Sequence, residues 1–222
     1  MITTPLTTGA HARHSAQPRR RILDAAALVF AEYGFSAAGV DEIARRAKVN
    51  KAMLYYHVGD KATLFREVVL EVIEQIKAEL VAAVAASSDP RERLAAVPMA
   101  FARVASKRPY FPQIMLREVA AGGVHLSDEM LAEITGVVAF TRQVVENGKR
   151  QGVFREVNPL IVHLMLVGSL LFIANATRIP ERIEHLQPLP PDTPSDLASA
   201  ARAIGKIILE GVAKPKVRRA RS

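Results

Sequence analysis

Apolar residues recur along almost the whole chain at the spacing of one helix face. From Pro18 to Tyr33 the positions Ile22, Ala25, Ala26, Val29, Phe30 and Tyr33 repeat at helical intervals, with a proline suited to a first turn ahead of them and Gly34 placed to end the helix. Val40, Ile43, Ala44 and Ala47 carry the pattern through a second, short helix whose other face holds Asp41, Glu42, Arg45 and Arg46. A short break follows, after which Asn50 is suited to cap a third helix over Lys51 to His57 and Asp60 a long fourth one reaching about Ala86.

Downstream, proline and glycine divide helices over roughly Pro90–Ser106, Tyr110–Ala121, Ser127–Gln151, Pro159–Thr177 and Ser195–Val212. No segment alternates as a half-buried strand does, so the chain reads as all-α. Residues 180–194 are too rich in proline for a helix and read as an extended surface loop. Leu160 to Ala176 is almost wholly apolar, yet it falls short of the roughly 18 to 20 residues a membrane span needs. It also contains His163, Ser169 and Asn175. It is expected to be buried on more than one side, by its own domain and by a partner subunit.

At 222 residues and 50% hydrophobic, the chain is long enough for a well-buried core, as one large domain or a small one joined to a larger. The absence of cysteine excludes disulfides, thiolate nucleophiles and cysteine metal sites, and fits a reducing cytoplasm. Residues 1–17 lack the apolar core of a secretory signal and read as a disordered basic arm. The formal charge of +8 is unevenly placed. Residues 1–61 carry nine Lys/Arg against five acids, the tail "KPKVRRARS" adds five positives, and residues 62–213 are close to neutral. That is the distribution of a polyanion-binding end on a neutral body, although charge runs are also ordinary solvated faces.

The stretch "VNKAMLYYHVGDK", Val49 to Lys61, gathers two tyrosines, a histidine and two of those lysines. On a helical wheel with Leu54 and Val58 turned inward, Ala52 and Tyr56 face outward, flanked by Met53 and Tyr55, with Lys51 and His57 on the shoulders. Two short helices joined by a turn, the second displaying this face beside a basic arm, describe a helix-turn-helix. Its outward side chains can reach base edges while its shoulders meet phosphates. Singly, each of these residues is as well explained by core or surface packing; jointly they point to DNA.

These residues carry a resemblance to a known family. "ILDAAALVFAEYGFSAAGVDEIARRAKVNKAMLYYHVGDKATLF" resembles the tetracycline-repressor (TetR/AcrR) family of bacterial transcription regulators over about Arg20 to Phe65, in its "GF" turn, "V..IA..A.V" second helix, "LYYH" recognition helix and "K..LF" start of the fourth helix. Lys48 stands in the turn where the family usually has glycine, which requires a left-handed lysine or a different turn. Gly39 replaces the usual hydroxyl cap of the second helix, and Val58 the commoner phenylalanine. The resemblance implies a DNA-binding domain over 18–65, an effector-binding and dimerisation domain over 66–213, and a basic tail over 214–222. It implies that Lys51, Ala52, Met53 and Tyr56 face bases, with Ala52 and Met53 limited to apolar contact and Lys51 able to donate to guanine. Tyr55, His57 and Lys61 would hold phosphates, helped by Arg21 and the helix start at Val40 and Asp41.

The resemblance further implies a cytoplasmic homodimer, nucleoid-associated when bound, that pairs through helices near 159–177 and 195–212. Its partners would be double-stranded palindromic operator DNA and a small-molecule effector, with no membrane partner. Beyond about residue 66 the likeness is one of architecture, so pocket candidates follow from residue type alone: Phe101, Tyr110, Phe111, Met115, Phe140, His163 and Phe172 as walls, and Arg117, Glu118 and Asn175 as polar anchors. A mostly apolar pocket suits a lipophilic effector. The stretch Arg108 to Leu126 is equally readable as a structural break, a pocket mouth or a dimer edge. No catalytic, cofactor or metal constellation stands out, which disfavours an enzyme built on a helical bundle. A nucleoid-like binder that uses charge without reading sequence is the other rival.

Overall fold

Local sequence sets most of the helix starts in the computed structural model, which describes residues 8–176, 190 and 192–214, over 8–16 as backbone alone. The elements are α1 (Thr8–Ala37), α2 (Val40–Ala47), α3 (Lys51–Val58), α4 (Lys61–Ala86), α5 (Pro90–Lys107), α6 (Tyr110–Ala120) and α7 (Asp128–Arg150). Then α8 (Pro159–His163) runs through a π-helical turn (Leu164–Gly168) into α9 (Ser169–Asn175), and α10 (Leu197–Val212) follows. Asn50 accepts a hydrogen bond from the Met53 N–H, and Asp60 one from the Thr63 N–H, both at 2.7 Å. Asp89, Ser127, Asn158 and Asp196 cap α5, α7, α8 and α10 in the same way. Among the described residues the fold is all-α, its one extended pairing an isolated bridge between Phe154 and Ala213.

Three expectations are corrected. Helix α1 begins at Thr8, so residues 8–17 are helical rather than a disordered arm; the stretch holds Ala, Arg and Gln, strong helix formers, and Pro18 forfeits a backbone hydrogen bond without stopping the helix. Gly34 breaks the helix with φ 75° but does not end it, because the chain is helical again to Ala37. The single helix expected over Pro159–Thr177 is split by the π-helical turn. Residues 1–7, 177–189, 191 and the tail from 215 lie outside the described residues, and with them most of the loop expected over 180–194.

Helices α1 to α4 close on a core in which Phe30 meets Phe65 edge-on at 5.0 Å and Phe35 meets Phe65 at 5.1 Å, beside fully buried Ile22, Ile43, Leu54 and Leu64. Helix α4 then carries the same buried stripe onward through Val69, Val72, Ile73, Ile76 and Leu80 into the C-terminal bundle, so one rigid helix belongs to both halves. Ion pairs Arg19–Glu67 at 2.8 Å, Arg20–Glu71 at 2.7 Å and Arg108–Glu71 at 2.7 Å decorate this junction. Burying one leucine or phenylalanine stabilises by about 1.5–3 kcal/mol, against roughly 0–1 kcal/mol for a surface ion pair, so the apolar stripe holds the halves together.

At the far end Phe154 is fully buried over Gly148, where a Cβ would lie 2.1 Å from its ring, so only glycine fits. The Arg155 N–H donates to Val212 O and the Lys214 N–H to Val153 O, both at 2.9 Å, tying the end of α10 to this turn. The apolar stretch 160–176 buries Val162, Leu166 and Leu170 in its own bundle and leaves Leu160, Ile161, Leu164, Met165 and Phe172 exposed. Among the described residues no helix is long and apolar enough to cross a membrane.

Candidate nucleic-acid interface

Ile43, Ala44 and Ala47 of α2 and Leu54 and Val58 of α3 are buried, which fixes the opposite faces of both helices toward solvent. Lys51, Ala52, Met53, Tyr55 and Tyr56 are exposed along α3, and His57 is half-buried with its ring edge-on to Tyr56 at 5.2 Å. Tyr56 keeps 85% of its surface in water. A ring that large gains nothing from the fold at that position; its area is available to a partner.

The turn ahead of α3 is built on Lys48, in the left-handed region at φ 55° and ψ 47°, a conformation that costs a side-chain-bearing residue roughly 1–2 kcal/mol. The Lys48 and Val49 N–H groups close it by donating to Arg45 O at 3.2 Å and Ala44 O at 3.0 Å. Arg21 reaches across from α1 and donates from Nε to Ala47 O at 3.0 Å and from Nη2 to Lys48 O at 2.8 Å. The guanidinium thus caps the carbonyl end of α2 and pins the turn, favourably placed against that helix's negative end.

Gly39 caps α2 through backbone alone, with φ −90° and no side-chain hydrogen bond, next to half-buried Val40 and exposed Asp41. The Asp41 carboxylate lies 2.9 Å from Lys51 Nζ and pushes that ammonium above its ordinary range. Lys61 Nζ donates to Ser36 O at 3.1 Å and sits 4.7 Å over the Phe35 ring, at the edge where α4 leaves the domain. Arg45 and Arg46 both bond Glu42, holding its carboxyl down to about 2, and Arg46 also bonds Glu32. The outer face of α2 is therefore internally neutralised, and the positive shoulders of the site are Lys48, Lys51 and Lys61.

In the C-terminal half, α4 to α9 line a partly open cavity of about 210 Å³, with exposed Val119 and Leu164 on its rim. Of the candidates chosen by residue type, Phe101, Phe111, Met115 and His163 line it. Phe140 packs half-buried against the core, as does Tyr110, whose hydroxyl is pushed up by burial. Phe172 points outward with 63% of its surface exposed. Asn175 donates to Pro112 O at 3.0 Å and Leu171 O at 2.8 Å, joining α9 to α6. Arg117 and Glu118 turn to the DNA-binding half. Arg117 donates to Ala31 O at 3.0 Å and Glu32 O at 2.8 Å; buried Glu118 lies 3.0 Å from His125 Nδ1. His125 Nε2 in turn lies 3.0 Å from Ser36 Oγ, with its ring 4.7 Å from that of Phe35. The stretch Arg108 to Leu126 is therefore a docking segment on the end of α1. Sequence reading left out His125, Thr141 (whose Oγ lies 2.9 Å from His163 Nδ1) and aliphatic wall residues such as Ile134 and Val167, which no residue-type signal separates from ordinary core. Among the described residues no three His, Asp or Glu side chains gather as a metal site would require.

Residues 22–68 match the family described as bacterial regulatory proteins, tetR family. The chain is 29% identical over 177 residues to the HTH-type transcriptional repressor NicS of Pseudomonas putida, covering 77% of this chain and 82% of that one. It is 39% identical over 83 residues to the HTH-type transcriptional activator FasR of Mycolicibacterium smegmatis, a similarity confined to 37% of this chain and 38% of that protein. Among solved structures, the TetR family transcriptional regulator PfmR from Thermus thermophilus superimposes with a TM-score of 0.64 at 28% identity, covering 87% of this chain and all of that one. The ketosteroid transcriptional regulator KstR2 of Mycobacterium tuberculosis shares the fold at 21% identity, with a TM-score of 0.65 over 89% of this chain and 95% of that one.

Proposed function

We propose that this chain, whose residues 22–68 match the tetR family of bacterial regulatory proteins and whose relatives include a transcriptional repressor, is a DNA-binding transcriptional regulator that acts as a homodimeric repressor, its grip on a palindromic operator released by a small lipophilic effector. The observation that carries the DNA-reading part is the outward face of α3, with Tyr56 almost fully in water above buried Leu54 and Val58. In this reading Tyr56, Met53 and Ala52 approach base edges, and Lys51 exchanges the Asp41 carboxylate for a guanine acceptor. Tyr55, His57 and Lys61 meet phosphates, Val40 and Asp41 bring the start of α2 to the backbone, and Arg21 acts by holding the turn.

Dimerisation is supported by the row of exposed apolar side chains Leu160, Ile161, Leu164, Met165 and Phe172, continued by Ile207 on α10. Two-fold symmetry then requires recognition helices about 34–36 Å apart on DNA. Response to a ligand is supported by α6, which contributes Phe111 and Met115 to the cavity while Arg117 and the Glu118–His125 pair bear on α1. A ligand that prefers the arrangement in which α1 and α4 no longer fit the groove shifts the population away from DNA.

The test is selection of DNA fragments by the purified protein at physiological salt. The expected result is a palindrome bound about a thousandfold or more above random DNA. Tyr56→Ala and Lys51→Ala should weaken that palindrome far more than random DNA. Enrichment without a consensus, disappearing steeply with salt, would instead mean binding by charge alone and defeat the operator-reading proposal.

A further inference from the structure

The cavity wall is aliphatic and aromatic but for one polar side chain among its described residues, His163 at the end of α8. The imidazole is 7% exposed. Its Nδ1 is occupied by the fully buried Thr141 hydroxyl at 2.9 Å, which fixes the ring plane. Its Nε2 has no protein partner among the described residues, and it is not a sealed orphan either, since the sole buried unpaired side-chain atom among those residues is Arg108 Nε. Because His163 lines the cavity and its Nδ1 is taken, Nε2 is the ring nitrogen left for an occupant. The chain enters its π-helical turn at the next residue, and that turn supplies Leu164, Val167 and Gly168 to the same wall. Single π turns inside helices recur at functional sites, where they re-aim side chains at the cost of regular hydrogen bonding.

We propose that the cavity takes an uncharged, compact apolar molecule, about the size of a substituted single ring or a fused pair of rings, carrying one hydroxyl that hydrogen-bonds His163 Nε2. The assignment rests on the ligand-responsive reading above and specifies its chemistry. Size follows from volume: an apolar cavity of about 150 Å³ accommodates benzene, and this one is about 210 Å³. Neutrality follows from the walls, which offer no counter-charge, so a buried ion would lose its hydration without compensation. Burial also pushes the His163 imidazole below its ordinary range and keeps it neutral at pH 7. A hydroxyl is the matching group because it donates and accepts, and so pairs with Nε2 whichever ring nitrogen holds the proton. A hydrocarbon of the same shape would displace water from Nε2 and leave that nitrogen unpaired.

Calorimetric titration of the full chain at pH 7 with 2-naphthol, naphthalene and 2-naphthoate tests this. 2-Naphthol should bind at least about fivefold tighter than either of the others, the size of effect expected when a buried polar group loses its partner. His163→Leu should remove that preference, mainly by raising the affinity for naphthalene, which no longer leaves a buried nitrogen unpaired. His163→Gln should retain part of it, and Thr141→Val should reduce it by releasing the ring; unfolding curves of each variant establish that the fold is intact. Equal binding of naphthol and naphthalene, unaffected by His163→Leu, would overturn the hydroxyl assignment while leaving the cavity a ligand site. Preferential binding of naphthoate would overturn neutrality. No binding of any probe at its solubility limit would overturn the assignment and remove the support for ligand response together. Binding of naphthol as expected, with no change in DNA affinity, would sustain the assignment and count only against the regulatory reading.

Discussion

Lys48 shows how a single residue can be flagged from sequence and resolved only in three dimensions. Its place in a turn where glycine is expected allows either a left-handed lysine or another turn, and the structure adopts the left-handed lysine. The Ala44 and Arg45 carbonyls and the Arg21 clamp over-determine that turn. Lys48→Gly should relieve the strain at the expense of a more flexible unfolded chain, for a net gain of about 0.5–1 kcal/mol and a rise in Tm of roughly 2 °C in thermal unfolding. Random-DNA affinity should fall slightly and its salt dependence become shallower, because one positive charge leaves the shoulder of the site. The burial of Leu54 and Val58 and the exposure of Tyr56 were legible from helical spacing. The commitments of Arg21 to Ala47 and of Lys61 to Ser36 were not, because a long side chain selects its partner from whatever the fold brings near, here across 26 and 25 residues of sequence.

Among the elements, α6 is where sequence and structure part most instructively. Arg117 and Glu118 suggest polar anchors in a pocket, but it is the stripe of Phe111, Met115 and Val119 that reaches the cavity. Glu118 and Arg117 lie off that stripe: Glu118 is taken up by His125, and Arg117 reaches α1. One helix therefore touches the cavity and the N-terminal helices through different residues. The double substitution Arg117→Ala with His125→Ala should leave the naphthol affinity of the cavity within a few-fold of wild type but shrink the ligand-induced loss of operator affinity. Measured as the ratio of operator affinities with and without ligand, coupling of the usual 5–150-fold range should fall toward unity. An unchanged ratio would show that the two halves communicate through α4 alone.

On the scale of the whole molecule, the apolar stretch 160–176 has one side in its own bundle and the other uncovered, Phe172 being its most exposed apolar side chain. On the proposed dimer, the wild type should sediment as a dimer and Phe172→Glu as a monomer at the same concentration. Palindrome binding should weaken about a hundredfold or more, because the second half-site no longer profits from the first, while random DNA is little affected. By itself the sequence determined the all-α class, the caps at Asn50 and Asp60, the helix-turn-helix and the resemblance to tetR-family regulators, because helical periodicity, cap residues and a contiguous motif are local and survive without coordinates. The tertiary structure decided which rings line a cavity and which side chains only fill core. It also decided that His163 keeps one nitrogen toward that cavity while Thr141 holds the other, and that α6 joins the two halves. Those choices depend on contacts between residues far apart in the chain, where the same Phe, Met or His satisfies a core and a binding wall equally well until packing assigns it to one.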